Sequence, residues 1–281
     1  MRDQILITGG SGKTGSRLVA NLRARNVEPR VASRSAKGAG SVRFDWRDAA
    51  TFQDALADVR AVYLVAPTDT SEPLDAMRPF LEQAIDAGVD RFVLLSSSLL
   101  ESGGPMLGAV HAFLKAHAPH WTVLRPSWFM QNFSEGPHLL TIRDENAIYS
   151  ATGAGRVAFI DAGDIAAVAA SALLDPHFPD RDAVLTGPQA LSYDEVAALL
   201  SEILGREIAH IRLSEEELTE RFKQQGLPPQ YAPILANLDT AISYGAEDRV
   251  TDEVKNIAGR EPLGFLPFAT ATCEVWKPTG G

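Results

Sequence analysis

At 281 residues the chain has room for one large α/β unit with a smaller addition, and its 45% apolar and 22% charged content excludes a disordered chain. A formal net charge of −10 leaves no basic face for a phosphate backbone, so no nucleic-acid partner is expected. The single cysteine, Cys273, has no partner for an internal disulfide and matches no metal-ligand spacing, so a reducing, cytoplasmic setting and no metal are expected.

Taken from the start, Met1 is followed almost at once by the apolar run Ile5-Leu6-Ile7, which leaves no room for a secretory leader. Short apolar runs bounded by Gly, Pro or Asp predict strands at Gln4–Thr8, Pro29–Ser33, Val42–Asp45, Ala61–Val65, Arg91–Ser96 and Trp121–Arg125. Between them Gly15–Arg25, Ala49–Ala57, Leu74–Ala87 and Leu107–Ala118 carry helical apolar periodicity and suit crossovers between parallel strands. The reading is α/β, a Rossmann-type doubly wound parallel sheet. After Pro126 the pattern loosens, with Trp128, Phe129, Phe133 and Tyr149 read as loop or short-helix residues. The Ala-rich run Ile165–Leu174 is about half of the roughly 20 residues a membrane span needs and reads as a buried helix, with Asp164 as its N-cap. Ser192 with Glu195 three places on predicts a capped helix to Leu204, and Gly226-Leu227-Pro228-Pro229 divides 214–245 into two short helices of a lid or cap. The domain reading is residues 1–150 as the Rossmann-type domain and 151–281 as a smaller, mostly helical cap region partly interleaved with it.

The strand Ile5-Leu6-Ile7 runs into Thr8-Gly9-Gly10-Ser11-Gly12-Lys13-Thr14-Gly15, glycines spaced G-x-x-G-x-x-G before a helix. In that context Gly9 makes the tight turn, Gly12 lets the backbone approach a pyrophosphate, and Gly15 lets helix pack on strand, with the helix N-terminus facing the phosphates. A phosphate-wrapping loop of the G-x-x-x-x-G-K-[ST] type is excluded by spacing, because it needs glycine where Ile7 stands. An NAD-specific site ends its second strand with a carboxylate for the ribose 2′-hydroxyl; here the chain reads Val31-Ala32-Ser33-Arg34-Ser35. Arg34 is suited to a 2′-phosphate, with Ser33 adding a hydroxyl, so NADP(H) is preferred and NAD(H) is the alternative.

That loop, together with Phe44-Asp45-Trp46, Val65-Ala66-Pro67, Ser96-Ser97-Ser98, the segment Leu124-Arg125-Pro126-Ser127-Trp128-Phe129-Met130-Gln131-Asn132-Phe133, Phe159-Ile160-Asp161 and Leu185-Thr186-Gly187-Pro188, resembles the NmrA-like atypical short-chain dehydrogenases, most of all the clavine-type ergot-alkaloid reductases. The resemblance implies that Asp45 and Trp46 lie near the adenine, that Ala66 and Pro67 pass under the pyrophosphate and nicotinamide ribose, and that Ser96–Ser98 end a strand beside the nicotinamide. It also implies a catalytic lysine position near Leu107, where this chain departs from relatives that carry one.

No tyrosine of this chain is followed four places later by lysine, so the usual proton donor of short-chain dehydrogenases is missing. His111, four residues before Lys115, is the candidate donor, with Ser97 beside it as a second catalytic candidate and Lys115 read as a solvated charge. Trp128, Phe129 and Phe133 are candidate apolar walls for a flat substrate, and Ser98 and Asn132 candidate hydrogen-bonding groups. Asp161 and Asp164 are read as structural. Without a strong acid the substrate has to be electrophilic already, which points to a small aromatic or conjugated molecule. The leading reading is an NADPH-dependent reductase of a quinone or hydroxyanthraquinone-type polyketide, by reductive dearomatisation, in natural-product tailoring. The alternatives are an iminium or enone reductase of alkaloid type and a non-catalytic NADP(H)-binding redox sensor. No membrane partner is expected, and oligomeric state is not legible.

Overall fold

A computed structural model describes residues 3–36, 38, 40–227 and 229–278. The chain folds into two compact units. The first takes residues up to Pro126, then Ala162–Leu185 and Glu253–Arg260; the second takes Ser127–Asp161, Thr186–Asp252 and the residues from Glu261 onward. The boundary drawn at residue 150 thus falls inside the second unit, and the chain passes back into the first to supply one more strand and two helices.

In the first unit the apolar runs become strands and the amphipathic stretches become crossovers. They are β1 (Gln4–Thr8), α1 (Lys13–Ala24), β2 (Arg30–Ser33), β3 (Ser41–Arg43), α2 (Phe52–Leu56), β4 (Val59–Leu64), α3 (Pro73–Asp86), β5 (Arg91–Leu95), α4 (Leu107–His117) and β6 (His120–Pro126). The second unit begins with α5 (Gln131–Ser134), α6 (His138–Leu140), β7 (Ala147–Ser150) and β8 (Arg156–Val157). The first resumes with α7 (Ala162–Leu174) and β9 (Arg181–Leu185). The second continues with β10 (Leu191–Ser192), α8 (Tyr193–Leu204), β11 (Ala209–Arg212), α9 (Glu215–Gln224) and α10 (Ala232–Ser243). Finally α11 (Glu253–Ala258) belongs to the first unit and α12 (Phe265–Thr272) to the second.

The strands of the first unit form one seven-stranded sheet in the order β3-β2-β1-β4-β5-β6-β9, every neighbouring pair parallel. The order switches direction between β1 and β4, so the crevice outside their carboxyl ends is where such a sheet binds ligand. The seventh strand, β9, reads Arg-Asp-Ala-Val-Leu, and its two leading charges hide it from an apolar-run search. Both charges are paired: Arg181 Nη2 meets Glu253 Oε1 at 2.6 Å, and Asp182 Oδ2 accepts from Arg125 Nη1 at 2.7 Å. The helix predicted over Ala49–Ala57 begins as a tight turn, Ala49–Thr51, before α2 starts at Phe52.

Leu6, Val62, Leu64, Phe80, Phe92, Leu94, Val110, Leu114 and Val123 form the core of this unit. The Ala-rich helix α7 is buried along nearly its whole length and packs on α1, as a helix apolar all round requires. It starts at Ala162, so Asp164 is its third residue rather than its N-cap; the buried carboxylate pairs with Arg260 at 2.7 Å. Among the described residues no helix is long and apolar enough to cross a membrane.

In the second unit β7 pairs with β11 in parallel and β8 with β10 antiparallel. The capped helix holds: Ser192 Oγ accepts from Glu195 N at 3.2 Å while Glu195 Oε2 accepts from Ser192 N at 2.7 Å. The two helices α9 and α10 flank the Gly226–Pro229 break, of which Pro228 lies outside the described residues. Tyr149, read as a loop or short-helix residue, instead lies on β7, where Arg221 stacks 3.6 Å from its ring centroid.

Candidate cofactor site

The loop leaving β1 is shaped by glycines that nothing larger replaces. Gly9 turns it at φ +64°, a left-handed conformation costly for any residue with a Cβ. A Cβ on Gly10 would stand 2.5 Å from Val31 Cγ1, and one on Gly15 would stand 2.3 Å from Gly9 O and 2.8 Å from Gly10 Cα. Gly12 tolerates more, its virtual Cβ lying 3.2 Å from Gly9 O; its N–H donates to that same carbonyl at 2.9 Å. Gly10, a position the G-x-x-G-x-x-G spacing does not single out, is required by the close approach of the loop to Val31 on β2. No side chain caps α1 and its first turn carries no acidic residue, so its N-terminal N–H groups and positive dipole end are unopposed for an anion.

Behind the loop, Thr8 is fully buried and clamps the switch point: its hydroxyl donates to Tyr63 O at 3.0 Å and accepts from Val65 N at 2.8 Å. Thr14 also faces inward, its Oγ1 accepting from Tyr63 Oη at 3.1 Å. Burial pushes the Tyr63 phenol well above its ordinary value, opposed in part by that hydrogen bond to Thr14.

The carboxyl ends of β1 to β4 enclose a groove of about 520 Å³ lined by Thr8, Gly9, Ser11, Ala32, Ser33, Arg34, Phe44, Asp45, Trp46, Arg47, Val65, Ala66, Pro67, Thr68 and Asp69. That volume lies in the ordinary range for a small-molecule or cofactor cleft, roughly 300–1,000 Å³. One wall is set by an Asx turn in which Asp45 Oδ1 accepts from Arg47 N at 3.0 Å, and by Trp46, whose ring meets Phe44 edge-on at 4.8 Å and Phe80 at 5.3 Å. The rim carries an exposed ion pair, Arg47 to Asp69 at 2.8 Å. At the end of β2 the Ser33 hydroxyl accepts from Ala36 N at 3.0 Å, folding the loop so that exposed Arg34 lines the groove. Arg34 has no ion-pair partner among the described residues. A dinucleotide fits these residues: a glycine cradle that side chains would fill, an uncapped helix end for its phosphates, and a free guanidinium where an NAD site would hold a carboxylate.

The structure therefore brings together Thr8, Gly9, Ser11, Ser33, Arg34, Asp45, Trp46, Ala66 and Pro67 as sequence reading expected, and adds Phe44, Arg47, Thr68 and Asp69. Gly12, Lys13, Thr14, Gly15 and Ser96 are not among the lining residues. Ser96 is buried beyond the end of β5, its N–H donating to Leu124 O at 2.7 Å and its Oγ without a partner among the described residues; Ser97 is half-buried and Ser98 buried in the following segment.

His111 is also outside the groove. Its ring packs 5.4 Å from that of Trp121 near the start of β6, the side chain is buried, and Nδ1 has no hydrogen-bond partner among the described residues. Burial is the largest influence on it and lowers its pKa; the pull of Asp182 is opposed by Arg125. The imidazole is neutral at neutral pH. Lys115 is exposed.

Of the five predicted substrate residues, Ser98 lies in the first unit and Trp128, Phe129, Asn132 and Phe133 lie in the second. Phe133 is a core residue rather than a pocket wall: it is fully buried among His138, Phe159, Tyr193 and Phe265, and its carbonyl accepts from Trp276 Nε1 at 2.7 Å. Trp128, Phe129 and Asn132 are half-buried. Phe129 pairs with Ile160 in a parallel bridge, and Gln131 Nε2 donates to Asp161 Oδ2 at 2.6 Å just behind it.

The sequence profile of an NAD(P)H-binding family matches residues 9–176. The chain is 43% identical to an uncharacterised oxidoreductase of Bacillus subtilis (strain 168), over 98% of this chain and 97% of that one. It is 42% identical to agroclavine dehydrogenase of Claviceps fusiformis, over 97% of this chain and 98% of the enzyme. Among solved structures, triphenylmethane reductase of Citrobacter sp. complexed with NADP(H) matches with TM-score 0.81 at 21% identity, over 96% of this chain and 100% of that one. The NADPH complex of a quinone oxidoreductase from Escherichia coli matches with TM-score 0.82 at 21% identity, over 95% and 99%; at such identity these two speak for the fold. Sheet order, glycine cradle and near full-length relatives converge, and the chain belongs to the NAD(P)H-binding family, among the relatives of agroclavine dehydrogenase, as an NAD(P)H-dependent oxidoreductase.

Proposed function

We propose that this oxidoreductase prefers NADPH and reduces an acceptor that is already electrophilic, a conjugated polycyclic molecule of the quinone or hydroxyanthraquinone type, in natural-product tailoring. The observation that carries the cofactor preference is Arg34, unpaired among the described residues and lining the groove where an NAD-specific site holds a carboxylate. Arg34 and Ser33 hold the adenosine 2′-phosphate, the N–H groups of the Gly9–Gly15 loop and α1 hold the pyrophosphate, and Asp45 and Trp46 border the adenine. When bound, the reduced nicotinamide supplies the hydride.

The acceptor class follows from what the chain lacks. With no Tyr-x-x-x-Lys and with His111 buried and neutral, no strong acid stands ready, so the residues act by orientation. A quinone, an enone or an iminium accepts hydride under those conditions, whereas an isolated ketone wants a positioned acid. The completing proton is assigned to solvent. Ser97 and Ser98, at the carboxyl end of β5, orient the acceptor.

A second reading, an iminium or enone of alkaloid type, is favoured by the 42% identity to agroclavine dehydrogenase. Anaerobic oxidation of NADPH by the purified protein, with a hydroxyanthraquinone and separately with a cyclic iminium compound, decides between them. Turnover of the first supports the leading reading and turnover of the iminium alone supports the second. NADPH binding without oxidation by either, or by a wider panel of electrophiles, refutes the acceptor class.

A further inference from the structure

We propose that Arg125 is a positioning residue that fixes the segment following β5, and with it Ser97 and Ser98, through a guanidinium buried at the end of β6. This inference rests on the reading above that Ser97 and Ser98 orient the acceptor.

The geometry comes from one unit. The Arg125 side chain is only 6% exposed, yet it makes three charge-assisted contacts: Nη1 donates to Asp182 Oδ2 at 2.7 Å, and Nη2 donates both to Ser98 O at 2.8 Å and to Glu101 Oε1 at 2.5 Å. Asp182 is the anchor on β9. Burial alone would raise its pKa, but the Arg125 hydrogen bond and charge hold it below the usual carboxylate range, so the anchor is ionised across the physiological range. From that anchor the fork reaches across β6 to the loop.

The loop is held on both sides of the guanidinium by backbone bonds, Ser96 N to Leu124 O at 2.7 Å and Ser98 N to Pro126 O at 2.9 Å. Ser97 lies between these ties, with its carbonyl accepting from Leu100 N at 3.1 Å, so its backbone is set by the same segment. Glu101 passes the constraint onward. Its carbonyl accepts from Gly104 N at 3.0 Å and sits where a Cβ on Gly108 would be 2.3 Å away, so it packs against the first turn of α4; Gly103 N donates to Gly108 O at 2.8 Å. Between them Met106 is held at φ 53°, ψ −121°, a conformation that an L-residue keeps only when its surroundings over-determine it. One side chain thus ties β9, the Ser96–Glu101 segment and the start of α4. A planar five-donor fork performs this and an ammonium does not, so Arg125→Lys keeps the charge beside Asp182 and loses the shared Nη2 contacts.

The test uses the full chain with NADPH. In Arg125→Lys and in Glu101→Ala, where the removed side chain is 77% exposed and folding is not at stake, amide hydrogen exchange over residues 97–104 is expected to quicken about tenfold while the amides of β1 and β4 keep their native rates. The kcat with an accepted electrophile is expected to fall about tenfold, with NADPH Kd and acceptor KM within about twofold of native. Unchanged exchange at 97–104, or quickening spread evenly over the sheet, overturns the assignment. A failure of the native protein to bind NADPH would sink the underlying reading and is seen separately, because the exchange measurement without NADPH still reports whether Arg125 holds the loop.

Discussion

Replacing Gly15 by alanine sets two effects against each other. In the third position of α1 an alanine is worth about 1 kcal/mol more than glycine in helix propensity. Against that, its Cβ would lie 2.3 Å from Gly9 O and 2.8 Å from Gly10 Cα, both backbone atoms, roughly 1 Å short of ordinary nonbonded contact. The neighbours cannot yield by a rotamer change, so the loop moves as a piece and the bond from Gly12 N to Gly9 O, now 2.9 Å, opens. Overpacking of this kind costs about 1–3 kcal/mol, which leaves a net destabilisation on the order of 1 kcal/mol and a Tm lower by about 2–4 °C. The ligand feels the displacement more than the fold does. A shift of about 1 Å in phosphate-binding N–H groups is expected to weaken NADPH about 100-fold, close to 2.7 kcal/mol. Fluorescence titration measures the affinity and thermal melting the stability, with Gly12→Ala as the milder control because its Cβ meets Gly9 O at 3.2 Å. A Gly15→Ala protein that binds NADPH within threefold of native refutes the packing argument.

Thr8→Val keeps the shape of a buried clamp but leaves Val65 N–H without its acceptor, at a cost of about 1–3 kcal/mol that a denaturant melt reads as a lower midpoint. Removing His111 as His111→Gln is expected to leave kcat within about threefold, and a fall of 100-fold or more would restore it as proton donor. Burial lowers the pKa of His138 from 6.5 to about 4, so the folded state binds fewer protons than the unfolded one between those values; stability is expected to fall as pH drops through 6.5 towards 4, and His138→Phe to flatten that slope. Burial acts the other way on Asp239, raising it from 3.8 to about 7 against the Ala151 N–H bond, so stability falls as pH rises from 3.8 through 7 and Asp239→Asn is expected to raise Tm more at pH 8 than at pH 5.

The sheet was legible because each of its first six strands is a short apolar run closed by a breaker. β9 escaped that search because its pairing charges, Arg181 and Asp182, occupy two of five positions. The groove was legible for the same local reason: Gly9, Ser33-Arg34, Asp45-Trp46 and Ala66-Pro67 each follow the end of a strand, and a parallel sheet gathers such ends on one side. What sequence could not give is side-chain direction. Thr14 sits in the fingerprint yet turns inward to Tyr63, Phe133 sits in the most family-like segment yet is core, and His111 has a catalytic-looking spacing yet packs on Trp121. Arg125 lies in that same family-like segment, yet its role was not legible there, since its partners Asp182, Ser98 and Glu101 come from two distant stretches of chain.

The central claim is that the groove at β1–β4 holds NADPH and that Arg34 selects it. Equilibrium titration of the native protein and Arg34→Ala with NADPH and with NADH at fixed ionic strength tests it most directly. A charge-assisted bond to a 2′-phosphate is worth about 1.5–3 kcal/mol, so NADPH is expected to bind roughly 10- to 100-fold tighter than NADH and to lose that advantage in the variant, while NADH affinity stays within about twofold. Equal affinity for the two nucleotides in the native protein, or an Arg34→Ala protein that still prefers NADPH, would contradict the claim.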